Sequence, residues 1–139
     1  MRSDVFLDTN VFIYAFEFRE SNSATVMGML NKGEIRGIIS PRVIKEVTKY
    51  FERDYTNAVA QQLRTFLLKV CHVIAPDDKA MTNYRGQIKE KDLEQLVVVK
   101  SLKLRYIISY DRDFKAFPEY ITPKNFVQLM RKHPRPSEY

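Results

Sequence analysis

Residues 5–14 read Val-Phe-Leu-Asp-Thr-Asn-Val-Phe-Ile-Tyr, and this stretch decides the fold. An apolar run leads directly into an acid and an amphipathic run follows, which predicts a buried strand with Asp8 at its carboxyl end. Open α/β sheets bind their ligands beyond the carboxyl ends of their strands. We therefore expect chemistry at the edge of the sheet where Asp8 lies, although Asp-Thr-Asn is equally good helix-capping material.

The rest of the chain alternates predicted strands with predicted helices. Further strands are expected over residues 36–40, 71–75, 105–109 and 119–122. Helices are expected over 11–16, from Ser21 or Ser23 to Gly33, from Pro41, over 55–70, from Asp77 or Asp78 to Ile88, from Asp92, and over 123–130. This alternation predicts an α/β fold, a three-layer α/β/α sandwich with a mainly parallel central sheet. Residues 1–131 would form a single domain, followed by a polar, flexible tail at 132–139.

The composition limits the class of protein. A length of 139 residues fits one domain, and a net charge of +6 favours an anionic partner such as nucleic acid. The single cysteine, Cys71, cannot form an internal disulfide, and no Cys/His set has zinc spacing. The sequence lacks the pattern of a secretory signal, and no apolar run reaches the ~20 residues of a membrane span. We expect a soluble, cytoplasmic protein without a membrane association.

Four acids share a placement that the other acids lack. Asp8 and Asp111 stand at the carboxyl ends of predicted strands, while Glu46 and Asp92 fall in the first turns of helices that should begin at the same edge. Asp113 could join them. Clustered carboxylates repel one another unless a cation neutralises them, and oxygen ligands favour Mg²⁺ or Mn²⁺. Such a site suits the hydrolysis of a phosphodiester by metal-activated water.

Structural explanations compete with this one for most of the acids. Asp8 and Asp92 could be helix caps, and residues 110–114, Tyr-Asp-Arg-Asp-Phe, could form a simple turn. Glu46 is harder to explain in this way, because it lies near the apolar face of its helix, where an unpaired carboxylate is costly.

Polar and basic residues flank the acids. Thr9, Asn10 and Ser109 could orient the carboxylates, although capping explains the first two equally well. Exposed basic residues usually form a solvated face, but an RNA backbone would use the same side chains. The candidates for RNA binding are Lys45 and Lys49, which lie with Arg53 on one helical face, and Lys91 and Arg112, which flank proposed site acids together with Lys89.

The chain resembles the PIN-domain ribonucleases, and among them the VapC-type toxins of toxin–antitoxin pairs. Four motifs carry the resemblance in order: Phe-Leu-Asp-Thr-Asn-Val-Phe-Ile-Tyr at 6–14, Ser-Pro-Arg-Val-Ile-Lys-Glu-Val at 40–47, Asp92 before an apolar helix, and Ile-Ile-Ser-Tyr-Asp-Arg-Asp-Phe at 107–114. The chain departs from the family pattern in two places. Valines fill 97–99 where small alanines are common, and Tyr110 replaces an asparagine or arginine.

The resemblance implies a flavodoxin-like fold and a metal-dependent endoribonuclease. It also implies a homodimer and a small antitoxin whose C-terminal segment blocks the groove. The metal-site acids it implies are Asp8, Glu46, Asp92 and Asp111, with Asp113 as a more variable addition, and Asn10 and Ser109 as supporting residues.

Two other functions compete with the ribonuclease. A haloacid-dehalogenase-type phosphatase would use Asp8 as a covalent nucleophile, but its second acid would fall on Asn10 and Glu46 would have no role. A non-catalytic RNA-binding protein could use the same PIN-like fold.

Overall fold

The structure is a computed structural model that describes residues 3–139. Five strands form one sheet in the order β3-β2-β1-β4-β5, and every pair of neighbours is parallel. The strands are β1 (Ser3–Leu7), β2 (Ile35–Ile39), β3 (Cys71–Val73), β4 (Tyr106–Ile108) and β5 (Tyr120–Ile121). The helices are α1 (Thr9–Glu17), α2 (Asn22–Asn31), α3 (Pro41–Asp54), α4 (Asn57–Val70), α5 (Asp78–Tyr84), α6 (Glu90–Ser101) and α7 (Pro123–Leu129), with a 3-10 helix at Arg112–Ala116.

The predicted α/β sandwich with a parallel sheet is confirmed, and β1 is its central strand. Val5, Phe6 and Leu7 are fully buried, because β1 has a neighbour on each side and helices cover the sheet. Parallel sheets need this coverage on both faces, which is why their strands are continuous apolar runs. The apolar run before Asp8 therefore marks the strand on which the sheet is built.

The order of the strands creates one position where ligands are expected. The chain moves from β1 outward to β2 and β3, then returns past β1 to β4 and β5. Crossover connections are right-handed, so this reversal puts α5 and α6 on the opposite face from α1 to α4. A crevice forms beyond the strand ends where the direction reverses, between β1 and β4. Asp8 follows β1 directly, and Ser109 follows β4.

Several predicted boundaries were wrong by a few residues. α6 begins at Glu90, so Asp92 lies inside its first turn and does not open it. The predicted start at Asp92 left Glu90 and Lys91 outside the helix, yet Glu and Lys are good helix formers. α5 ends at Tyr84 because Gly86 adopts a φ of 92°, so Ile88 lies outside the helix.

Two aromatic residues of α1 pack into the core. Phe12 is fully buried, and the ring of Phe16 packs edge-on against those of Phe51 and Phe66. Phe18, by contrast, is 53% exposed. Within residues 3–139, no helix combines the length and the apolar character needed to cross a membrane.

The C-terminal residues, expected to be a flexible tail, lie against the N-terminus of α2. Asn22 is fully buried: its Oδ1 accepts from the N–H of Arg135 at 2.7 Å, and its Nδ2 donates to the carbonyl of Ser137 at 2.9 Å. The backbone N–H of Asn22 donates to the carbonyl of Tyr139. The ring of Tyr139 stacks on that of Tyr14 at 4.6 Å. These contacts hold the tail on the domain.

Two glycines give a matched test of the packing around the sheet. A Cβ on Gly37 of β2 would lie 2.8 Å from Leu30 Cδ1 and 3.2 Å from Cys71 Sγ, whereas a Cβ on Gly28 of α2 would meet nothing within 4 Å. We expect Gly37→Ala to lower the free energy of unfolding by about 1–3 kcal/mol through overpacking. Gly28→Ala should raise it by about 0.5–1 kcal/mol, since alanine favours the helix. Urea titration measures both; equal effects of the two changes would contradict the packing at Gly37.

Candidate metal and nucleic-acid site

Asp8 is held at the point where β1 meets β4. Its backbone N–H donates to the carbonyl of Ile108 at 3.1 Å, which extends the pairing of the two strands by one residue. Its Oδ1 accepts from the N–H of Thr9 at 2.8 Å and caps α1, and its Oδ2 accepts from Ser109 Oγ at 2.6 Å. The residue is only 4% exposed. Capping and site placement, alternatives in the sequence, are thus combined in one carboxylate.

Ser109 connects Asp8 to the loop after β4. Its Oγ donates to Asp8 and accepts from the backbone N–H of Asp111 at 2.9 Å. Asn10 Oδ1 accepts from the N–H of Tyr110 at 3.3 Å. The loop that carries Asp111 is therefore fixed to the segment that carries Asp8 by two polar side chains.

Three acids approach one another most closely, and we call them the acid cluster: Asp92, Asp111 and Asp113. One carboxylate oxygen from each lies within 4.8 Å of the others. Asp111 caps the 3-10 helix by accepting from the N–H of Asp113 at 2.9 Å, so this pair is held by local structure. Asp92 reaches them from the first turn of α6 and is 4% exposed.

Glu46 stands at the side of this arrangement. Its Oε1 accepts from Thr9 Oγ1 at 2.8 Å, and its Oε2 lies 3.7 Å from Nε of Arg42 on the preceding helical turn. Glu46 therefore contacts Thr9, the residue after Asp8, and is not a member of the acid cluster. Thr9 is the link, because its N–H binds Asp8 and its hydroxyl binds Glu46.

Neighbouring acids raise the pKa values of Asp8 and Asp92. Burial raises the pKa of Asp8, and the charges of Glu46 and Asp111 raise it further, against the lowering by its hydrogen bonds from Ser109 and Thr9. Burial, and next the charge of Asp111, raise the pKa of Asp92 to about 7. Carboxylates this close in a buried setting need a proton or a cation.

The acid cluster fits a divalent cation. All its donor atoms are carboxylate oxygens, which hard cations prefer. Asp92 Oδ2 is buried and has no hydrogen-bond partner among residues 3–139. A buried carboxylate oxygen without a donor is expensive, and a bound cation would satisfy it.

The candidate basic residues lie around the acids in different ways. Lys91 Nζ lies 3.6 Å from Asp111 Oδ2. Lys45 and Lys49 line a groove along α3, and Arg112 stands exposed between Asp111 and Asp113. The groove has a volume of about 500 Å³ and is lined by Pro41, Arg42, Lys45, Glu46, Lys49 and Glu94.

Two site neighbours were missed by the sequence analysis. Glu94 Oε2 accepts from the backbone N–H of Arg42 at 2.8 Å, which fixes the start of α3 to α6 across 52 positions of sequence. Tyr110 donates or accepts a short hydrogen bond with Ser23 and packs edge-on against Tyr14. Only its departure from the family pattern marked Tyr110 in the sequence, and nothing marked Glu94.

Comparison with known proteins agrees with the fold. A family model described as PIN domain matches residues 4–113. No curated protein matches the chain.

Solved structures of toxin–antitoxin proteins have a similar fold. A toxin–antitoxin complex from Klebsiella pneumoniae aligns with a TM-score of 0.69 and 21% identity, over 86% of this chain and 97% of that one. VapBC2 from Rickettsia felis, bound to promoter DNA, aligns with a TM-score of 0.66 and 18% identity, over 86% of this chain and 96% of that one. VapC20 from Mycobacterium tuberculosis, a toxin that cleaves the sarcin-ricin loop, aligns with a TM-score of 0.62 and 15% identity, over 81% of this chain and 93% of that one. At these identities the likeness shows the fold.

The raised pKa of Asp92 predicts how stability depends on pH without divalent cations. Its folded-state pKa of about 7 lies above the ordinary value of 3.8, so the folded protein binds more protons than the unfolded chain between these values. The stability from this group is therefore complete below pH 3.8 and is lost as the pH rises to about 7. In EDTA, Asp92→Asn should flatten this part of the plot of Tm against pH. Asp78→Asn on exposed α5 is the control, and an unchanged slope in Asp92→Asn would contradict the assignment.

Proposed function

The chain belongs to the PIN domain family, and from this premise we propose that it is a metal-dependent endoribonuclease. One observation carries the proposal. Asp92, Asp111 and Asp113 meet within 4.8 Å beside Asp8, at the edge of the sheet where the strand order reverses.

The proposed roles follow from the contacts of each acid. Asp8, Asp92, Asp111 and Asp113 would hold Mg²⁺ or Mn²⁺, and Glu46 lines the adjoining groove. When bound, such a cation lowers the pKa of a water and offsets charge on phosphate oxygens.

The protein's own polar groups prepare this arrangement. Ser109 Oγ–H holds Asp8 Oδ2 and orients it while accepting from the N–H of Asp111. Thr9 Oγ1–H fixes Oε1 of Glu46, and the other oxygen of Glu46 lies 3.7 Å from Nε of Arg42. Asn10 holds the loop through the N–H of Tyr110. Groups fixed in this way need no rearrangement at the moment of reaction.

RNA as the substrate is supported by charge. The chain has a net charge of +6 although it concentrates acids at one edge of its sheet. Lys45 and Lys49 line the same groove as Glu46, so a phosphate backbone bound there would lie beside one of the site acids. Lys91 and Arg112 are further candidates for phosphate contacts.

A toxin role is proposed from the similar structures. Those from Klebsiella pneumoniae and Rickettsia felis are toxin–antitoxin complexes, and each aligns over 86% of this chain. We propose by analogy a small antitoxin that covers the groove, a homodimer, and a cytoplasmic location. A short DNA-binding protein encoded beside this gene would support this part of the proposal.

The phosphatase alternative is disfavoured by the surroundings of Asp8. That reaction would place its second acid at Asn10, whose Oδ1 instead accepts from the N–H of Tyr110, and it gives Glu46 no role. Failure to trap an acyl-phosphate analogue with beryllofluoride would agree with the nuclease.

Replacement of Asp8 tests the ribonuclease. With Mn²⁺ and a panel of RNAs, we expect cleavage by the wild-type protein, loss of cleavage in EDTA, and a fall of at least about 100-fold in Asp8→Asn. Asp4→Asn is a matched control, because Asp4 lies on the same strand but is exposed at its other end. Circular dichroism checks that Asp8→Asn folds. Full activity in Asp8→Asn, or cleavage that survives EDTA, would refute the proposal.

Charge reversal on α3 tests the proposed RNA groove. Lys49→Glu should weaken RNA binding at every sequence and reduce the slope of log K against log salt by about 1, because one phosphate contact is lost. Filter binding with the inactive Asp8→Asn protein measures both values. Lys69→Glu, an exposed change in the last turn of α4, is the control. An unchanged slope in Lys49→Glu would place the RNA elsewhere.

A further inference from the structure

Two lysines at the start of α6 pair with acids of the acid cluster. Lys89 Nζ lies 3.1 Å from Asp113 Oδ2, and Lys91 Nζ lies 3.6 Å from Asp111 Oδ2. Asp92, the third member of the cluster, follows Lys91 directly on the same turn. One helical turn therefore supplies both an acid for a cation and the two ammonium groups that neutralise the other acids.

The requirements of the helix do not explain this placement. Lys89 is the N-cap residue of α6 and makes no capping hydrogen bond through its side chain. The N-terminus of a helix carries a positive partial charge, so lysines are unfavourable there and acids are preferred. The acids across the site provide the compensation that makes two lysines acceptable in this turn.

Both ion pairs lie at the surface and can dissociate readily. The side chains of Lys89 and Lys91 are 66% and 56% exposed, so each ammonium can turn to solvent without moving the backbone. Exposed pairs of this kind are weak, whereas a divalent cation carries twice the charge and binds several carboxylates at once. Asp92 Oδ2, buried without a hydrogen-bond partner among residues 3–139, provides a further ligand that neither lysine uses.

We propose that Lys89 and Lys91 are resident counter-ions of the acid cluster, which a divalent cation displaces when it binds. The proposal rests on the proposed function in one respect, that a cation binds these acids. The displaced ammonium groups then face the mouth of the site, where the phosphate of a substrate would arrive. The lysines keep the acids together in the metal-free protein and lower its affinity for the cation.

Calorimetric titration with Mn²⁺ tests the competition. Lys89→Met and Lys91→Met remove the ammonium but keep a long, helix-favouring side chain. Each should bind Mn²⁺ about two- to fivefold more tightly than the wild-type protein, the range expected for the loss of one exposed competing pair. Lys69→Met, at the opposite end of the sheet, should match the wild type. Equal or weaker binding by both cluster variants would overturn the proposal.

Lysine reactivity in the wild-type protein tests the displacement directly, without any assay of activity. An amine-reactive ester, followed by peptide mass spectrometry, should acylate Lys89 and Lys91 faster in Mn²⁺ than in EDTA, while the rate at Lys69 stays constant. Unchanged or slower acylation at both lysines would overturn the proposal.

The two experiments separate this proposal from the proposed function. If the wild-type protein binds no Mn²⁺, metal dependence fails and the counter-ion proposal fails with it. If the wild type binds Mn²⁺ but the lysine variants and the acylation rates do not respond, only the counter-ion proposal fails.

Discussion

The mutual repulsion of carboxylates at one edge of the sheet is the constraint on which the rest of the site depends. The structure meets it in three ways. Asp8 receives hydrogen bonds from Ser109 and Thr9, two acids of the cluster have lysine partners, and Asp92 has a pKa raised to about 7. Each of these features concerns a different acid of the site.

The parallel sheet explains why the acids meet at all. Every strand presents its carboxyl end at the same edge, and the helices that follow β2 and precede β4 begin or lie near it. The reversal of strand order beside β1 leaves the space there that a substrate needs. Short polar residues after the strands then do two tasks at once, since Asp8 caps α1 and Asp111 caps the 3-10 helix. Local structure and site geometry therefore support each other.

The fold could be predicted from the sequence because its signals are local. The apolar run before Asp8 and the one before Asp111 each mark a strand and the acid that follows it. The close approach of Asp92, Asp111 and Asp113 was less visible, since it depends on where α6 starts, and the charged run at 89–91 hid that start.

The contacts that complete the site join positions far apart in the chain. Thr9 and Glu46 are 37 residues apart, and Asn22 and Ser137 are 115 apart. No periodicity in a single sequence encodes such pairs. Whether a polar tail is loose or docked likewise depends on a distant partner, here the buried amide of Asn22.

The central position of β1 has a consequence for how the protein is made. β1 is synthesised before the other four strands of its sheet, and one of its two neighbours, β4, follows about a hundred residues later; Ser109 lies 101 residues from Asp8. A growing chain can pair β1 with β2, and β2 with β3, while the other edge of β1 presents unpaired N–H and C=O groups along the apolar run Val5 to Leu7. Such an edge invites pairing with other chains. The nascent protein therefore passes through a state that is both prone to aggregation and without a complete acidic site, and both conditions end together when β4 docks.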